Sequence, residues 1–402
     1  MRPGEDHAGR AGKPRAHAAA AAALESPHTR AAERSLPTQK FTLGIEEEFQ
    51  LIDPASRELK SHIEEMMAAG THLGEQIKPE LHQSVVEVGT PVCADIREAD
   101  VAVRHLRRSL IDLADKAGVR IVAAGTHPIS HWKDQEITDR ARYADIVSEM
   151  EDLARANLIF GLHVHVGIED REVQIQIMNG VRAFLPHLLA LSVNSPFWCG
   201  RRTGVKSVRS TIFKRFPRTS IPDYYRSWDE YCRYVDLLVA TGCIDDGKKI
   251  WWDIRPHAYF STLEFRVCDV PSRAEETIAI AAVIQALVAK LFRLLESNLA
   301  LRVQERAVIE ENKFRALKRG LDGTLIDFPH RRAAPTRALI LEMLDFVDDV
   351  VDELGTRAEI DFVRGWAAAG DTGADRQIAV FEATKDLRAV VDLLVDETRR
   401  GL

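Results

Sequence analysis

A chain of 402 residues, 46% apolar and 29% charged, can bury a core large enough for one large or two ordinary domains. Its net charge of −7 and pI near 6.1 argue against nucleic acid or an anionic membrane as the main partner. Five scattered cysteines, Cys93, Cys199, Cys232, Cys243 and Cys268, form no CxxC pair and suit a reducing cytoplasm rather than a disulfide framework.

Residues 1–40 carry arginines and the alanine run Ala18–Ala23 but no continuous aliphatic core of a signal peptide, and they predict a disordered tail. Order begins near Phe41. Thr42–Asp53, TLGIEEEFQLID, alternates as a strand, with Leu43, Ile45, Glu47, Phe49 and Leu51 on one face and Gly44, Glu46, Glu48 and Gln50 on the other. Glu46 and Glu48 thus point the same way. They repel unless a divalent cation lies between them, or unless the polar face of an edge strand simply meets water. Glu47 shares a face with four apolar residues and needs a buried partner such as Arg.

Lys78–Pro91 mixes strand formers with turn residues and reads as one strand, which places Glu80 and Glu87 on opposite faces unless a bulge or bend intervenes. Asp95-Ile96-Arg97-Glu98 has the form of a capping box, and Val103, Leu106, Leu110 and Leu113 continue an amphipathic helix to Gly118. Val119–Gly125 predicts a short buried strand and Asp139–Asn157 a helix. Leu158–Ile168 alternates again, with Leu162, Val164, Val166 and Ile168 opposite Gly161, His163, His165 and Gly167.

Residues 171–192 read as a helix interrupted near Pro186. Asn194–Pro222, rich in Arg, Lys, Gly, Ser and Pro, is a connection of the length that is usually functional or mobile. Ile250–Val270 is strand-like, its second half setting Thr262, Glu264, Arg266 and Cys268 against Leu263, Phe265 and Val267. Ser272-Arg273-Ala274-Glu275 then caps Thr277–Leu295, an apolar helix broken by Gln285, Lys290 and Arg293 and therefore a core helix rather than a membrane span. From Ser297 the chain predicts only helices, including an acidic heptad-like segment at Leu339–Leu354 and another near Arg376–Arg399. Their amphipathic pattern suits either a homodimer contact or a cover for the sheet.

Three strands therefore carry chemical faces: Glu46 and Glu48, His163 and His165, Glu264 and Arg266, with Glu80 and Glu87 in a fourth segment. Apolar backs with acidic, histidine and arginine fronts predict an α+β sheet with helices on one face and a cleft on the other. Such a cleft suits Mg²⁺ or Mn²⁺ bridging phosphate oxygens, with arginines gripping phosphate and carboxylate groups bidentately. Each motif alone has a plain alternative, an ordinary ion pair or a structural HxH, and repetition of one device across segments is what favours the site. Gly242–Lys249, GCIDDGKK, approaches a P-loop, but Lys249 stands where Ser or Thr should hold Mg²⁺ and Tyr234–Thr241 looks helical. HExxH, GxSxG and GxGxxG are missing, and a hydrolase using His163 and His165 would not need so many acids and arginines.

The segments GIEEEF (Gly44–Phe49), KPELHQSVVEVGTP (Lys78–Pro91), GLHVHVG (Gly161–Gly167), NSPFWCGRRTGVKSVR (Asn194–Arg209), FPRTSIP (Phe216–Pro222) and WWDIRPH with TLEFRVCD (Trp251–Asp269) together resemble the bacterial carboxylate-amine ligases, or type 2 glutamate–cysteine ligases. The resemblance runs in order over roughly Thr42–Pro271. It implies a branch of the glutamine synthetase and guanido kinase superfamily, with a curved antiparallel sheet lining the active-site cleft, helices on its outer face, a catalytic domain over residues 41–300 and a helical C-terminal region over 301–402. It further implies metal sites at Glu46, Glu48, Glu80, Glu87, His163 and Glu264. His165, Arg255 and Arg266 would lie near phosphate or the transferred acyl group, and Arg209 near nucleotide or substrate. Where relatives have Arg-x-Glu-x-Arg this strand has Thr262, which passes the first arginine's role to Arg255. Where they have Arg-x-Gly this chain has Arg218-Thr219-Ser220. The implied reaction is ligation of a glutamate carboxylate to cysteine or another amine with ATP and Mg²⁺ or Mn²⁺. The alternatives are a nucleotide- or amino-acid-binding protein without turnover and a guanidino phosphotransferase.

Overall fold

A computed structural model describes residues 39–402, so the tail expected over residues 1–40 lies almost wholly outside the described residues. The acidic stretch forms strand β1 (Leu43–Ile52), accompanied by β2 (Ile77–Pro79), β3 (Val85–Gly89), β4 (Arg120–Val122), β5 (Gly161–Gly167), β6 (Ile254–Pro256) and β7 (Thr262–Asp269). These make one seven-stranded antiparallel sheet in the order β6-β7-β5-β1-β3-β2, with β4 pairing to β1. β1 is central because both its edges are used: residues 46–50 pair with β3, residues 43–47 with β5 and residues 50–52 with β4.

Helices lie on both sides of this sheet. They are α1 (Ile96–Lys116), α2 (Ala141–Met150), α3 (Arg171–Val181), α4 (Leu185–Ser192), α5 (Val208–Phe213), α6 (Trp228–Ala240) and α7 (Ala274–Glu296), of which α1, α4 and α7 pack on the sheet's apolar side, while α2 and α5 border its open face. Leu43, Ile45, Phe49 and Leu51 of β1 and Val103, Leu106, Leu110 and Leu113 of α1 are all buried, as the two periodicities require. Asp95 caps α1 by accepting from the amides of Arg97 at 2.9 Å and Glu98 at 3.0 Å, while the Glu98 carboxylate turns back to the amide of Ala94 at 2.7 Å. Among the described residues α7 is the one helix long and apolar enough to cross a membrane; 78% of its most apolar window is buried within the chain, the core position its Gln and Arg interruptions predict.

Four expectations change. Lys78–Pro91 is a hairpin, not one strand: the chain reverses at Leu81–Ser84, pinned by His82 Nε2 against the Arg155 carbonyl and by Ser84 against Gln135. The reversal sets Lys78 opposite Glu87, so that Glu80, two residues from Lys78, shares the Glu87 face. In β7 a bulge between Phe265 and Cys268 shifts the register by one, and Cys268 lands opposite Leu162 on the helix side instead of beside Glu264. Ser272 does not cap α7; it donates to the Ala123 carbonyl at 2.8 Å, and Arg273 occupies the N-cap position. Finally, the region after Ser297 is not wholly helical: Thr324–Asp327 and Arg332–Pro335 pair as a small hairpin, β8 and β9, between its helices. The last two helices, α8 (Gly373–Thr384) and α9 (Leu387–Arg399), pack together, and α9 lies against β4 and α1.

Candidate active site

The open face of the sheet lines a cleft of about 600 Å³, and all ten residues singled out from the sequence lie on it: Glu46, Glu48, Glu80, Glu87, His163, His165, Arg209, Arg255, Glu264 and Arg266. Cross-strand pairing explains why. One rung runs Lys78, Glu87, Glu48 across β2, β3 and β1; a second joins Glu46 to His163; a third joins Gly44, His165, Glu264 and Arg255 across β1, β5, β7 and β6. Side chains directly opposite on one face sit close enough to interact, so residues more than two hundred positions apart share one surface.

Three groups of these side chains bring their donor atoms within 4.8 Å of one another: Glu48 with Glu80 and Glu87; Glu46 with Glu87 and His163; Glu46 with His165 and Glu264. Their electrostatic conditions differ sharply. Burial raises the Glu48, Glu80 and Glu87 carboxyls to about 7, about 7 and about 8, and repulsion within the acidic group adds to it. Lys78, 3.4 Å from Glu87, offsets only part of this. Burial also acts on Glu46, but His163 at 3.3 Å and His165 at 3.7 Å outweigh it and hold that carboxyl well below its usual range. Glu264 is likewise buried, and Arg266 and Arg255 keep it ionised. Burial pushes His163 down to about 4, so it presents a neutral ring, whereas the carboxylates around His165 raise its pKa despite burial.

Arg255 grips Glu264 with two bonds, at 2.8 and 3.2 Å, and donates its remaining nitrogen to the carbonyls of Lys248 and Ile250. Arg266 reaches Glu264 from the other side, so the acid lies between two guanidiniums, as it would in the Arg-x-Glu-x-Arg strand this chain lacks. Arg209 enters from α5, near the start of β5, where Glu48 also accepts the Gly161 amide at 2.5 Å. A side chain at Gly161 would overlap the Arg209 guanidinium, which is why that strand begins with glycine. Arg209 itself is buried and its Nε meets no acceptor among the described residues. Ser220 takes φ of 73° and so adopts the left-handed conformation that the glycine of Arg-x-Gly would supply.

Glu47 points to the opposite side. It is 2% exposed and receives two bonds from Arg107, at 2.9 and 2.5 Å, and one from Thr277 at 2.7 Å. This is the buried arginine partner that its place among apolar residues demands.

The cleft also contains residues that sequence reasoning missed, among them Lys78, Arg142, Asn157, Phe216, Trp251 and His257. Lys78 was accessible to alternation, standing two residues before Glu80. The others come from helix, loop and hairpin segments whose convergence only the tertiary fold reveals.

The model of glutamate–cysteine ligase family 2 matches residues 42–392. A Solibacter usitatus protein provisionally named glutamate–cysteine ligase 2 is 56% identical over 364 residues, covering 90% of this chain and 94% of its own length. A Sorangium cellulosum protein of the same provisional name is 53% identical over 366 residues, covering 90% and 97%. Among solved structures, the glutamate–cysteine ligase of Francisella tularensis in complex with AMP aligns with a TM-score of 0.65 at 13% identity, over 90% of this chain and 89% of that one. A bifunctional glutathione synthetase from Pasteurella multocida aligns with a TM-score of 0.64 at 14% identity, over 89% of this chain and 52% of that one. At such identities the structures speak for the fold, and the family match and close relatives speak for the class. The chain belongs to glutamate–cysteine ligase family 2 and is an ATP-dependent ligase that forms an amide bond.

Proposed function

We propose that this ligase phosphorylates the γ-carboxylate of glutamate with ATP and joins the resulting acyl phosphate to an amine, of which cysteine is the expected example. The observation that carries this reading is the acid cluster of Glu48, Glu80 and Glu87, three carboxylates converging on one face whose burial outweighs the cations around them, Lys78, Arg142, Arg209 and Arg266. Hard oxygen donors in that number, with imidazole adjacent, fit Mg²⁺ or Mn²⁺. Glu46, Glu48, Glu80, Glu87, His163 and Glu264 would hold such ions, which when bound neutralise phosphate charge.

The chain's own residues do the rest. Arg266 and Arg209, at the two sides of the cluster, bind phosphate oxygens and stabilise charge developing on the transferred group. Arg255 fixes Glu264 and so positions Arg266. His165, held by Thr262 at 3.1 Å, orients the carboxylate substrate. The carboxylate oxygen attacks the terminal phosphorus and ADP leaves. The amine then attacks the acyl carbon, loses a proton, and inorganic phosphate departs. Neither step requires an enzyme nucleophile, which explains a site rich in acids and arginines without a catalytic triad. All five cysteines are unpaired, in keeping with the reducing cytoplasm in which we place the enzyme.

The test is ADP release from MgATP and glutamate over a panel of amines, with product masses determined. A γ-glutamyl amide formed with stoichiometric ADP is expected. Binding without turnover, or a stable phosphorylated guanidine, would refute the reading.

A further inference from the structure

On one flank the cleft changes character. Beyond Arg209 its wall is Ile146, Ile159, Phe213, Phe216 and Trp251, an aliphatic and aromatic surface drawn from α2, the loop before β5, α5 and the segments around Phe216 and Trp251. Phe216 packs edge-on to Trp251 at 5.7 Å, and the Arg209 guanidinium lies 5.8 Å from the Phe213 ring. Into this apolar wall the chain sets one carboxamide, Asn157, on the loop before β5. Its Oδ1 is buried and has no hydrogen-bond partner among the described residues. A polar atom so placed is destabilising unless a partner arrives, and buried polar atoms are otherwise almost always paired.

We propose that Asn157 reads the base of the nucleotide, with its carboxamide addressing the edge of adenine while the ring rests on the wall of Phe213, Phe216 and Trp251. The order of surfaces supports this: apolar wall, then arginine, then carboxylates is the order in which MgATP presents base, phosphates and metal. A carboxamide carries an acceptor and a donor side by side and can exchange them by rotation, which matches adenine's amino group and adjacent ring nitrogen. Flat aromatic surfaces supply stacking to the base face. The inference rests on the ligase reading for the presence of a nucleotide, and adds which residue selects it.

Equilibrium binding of MgATP and MgGTP to the full chain, measured calorimetrically without amine, tests it. The wild type should prefer MgATP. Asn157→Ala should weaken MgATP by about tenfold, the effect of one lost hydrogen bond, and leave the KM for glutamate unchanged. Asn157→Asp keeps the shape but offers only acceptors, which suits the ring N–H and amino group of guanine, so the preference should shift toward MgGTP. Wild-type nucleotide affinities in both variants, or an effect confined to the KM of the amine, would overturn the assignment and give the apolar wall to the acceptor instead. A wild type that binds neither nucleotide would overturn the ligase reading together with this one; a wild type that binds MgATP beside unchanged variants would overturn this one alone.

Discussion

The two faces of β1 hold the same side chain in opposite conditions. Toward the helices, Glu47 is buried but fully answered by Arg107 and Thr277. Toward the cleft, Glu48 is buried beside Glu80 and Glu87, and burial raises its proton affinity further than Arg209 and Arg266 lower it. A buried charge that the fold neutralises belongs to the architecture. A buried acid cluster whose charge the fold does not offset is a demand for a ligand.

Substitution should separate the two faces most clearly in activity. Glu87→Gln is expected to lower ADP release by about a thousandfold while leaving the metal-free protein as stable as the wild type or more so; comparable activity would remove Glu87 from the machinery. On the helix face the loss should fall on stability. Arg107→Met leaves Glu47 buried and unpaired and should cost about 3–5 kcal/mol in urea unfolding, whereas the double variant Glu47→Leu with Arg107→Met should recover most of it. A single variant within the scatter of surface substitutions would show that the pair is dispensable.

The pH dependence sharpens the contrast further. The carboxyls of Glu48 and Glu80 near 7 and Glu87 near 8 bind protons in the folded chain above the pH at which the unfolded chain has released them. Stability of the metal-free protein should therefore fall as pH rises from 5 toward 8, because the unfolded state binds fewer protons than the folded one across that window. Mg²⁺ or Mn²⁺ should raise Tm more at pH 8 than at pH 5, and a Tm that responds to metal equally at both would count against the cluster as the binding site. The smallest effect is expected far from either face: Asp95→Ala should cost about 1 kcal/mol through the lost cap and leave turnover unchanged.

Much of this was legible in the chain. Strict alternation in Thr42–Asp53 and Leu158–Ile168 assigned Glu46, Glu48, His163 and His165 to one face and demanded a partner for Glu47, because pleat geometry leaves no other choice once one face is apolar. The identity of that partner was not legible, since Arg107 lies on a helix whose apolar stripe gives no reason for a fully buried guanidinium. The Lys78–Pro91 hairpin was hidden because its turn, Leu81–Ser84, has neither Gly nor Pro and is held by contacts to Gln135 and Arg155. The hairpin at Thr324–Pro335 does carry turn residues, Gly323 and Pro329, but its four-residue strands are too short to show alternation between the helices on either side. Asn157 carries no local signal at all; its significance comes from what surrounds it.

The bulge in β7 lets one strand serve two tasks in succession. Ahead of it Glu264 serves the cleft; after it Asp269 accepts from the Asn194 amide and from the hydroxyls of Ser195 and Ser207, anchoring the segment that delivers Arg209. Under strict alternation Asp269 would fall on the helix side with Phe265 and Val267; the extra residue of the bulge returns it opposite Gly161, so that the strand that positions Glu264 also anchors Arg209. The extra residue is thus what lets a single strand present Glu264 to the cleft and Asp269 to the Arg209 segment, and the feature to be kept is the pairing of Asp269 with Gly161.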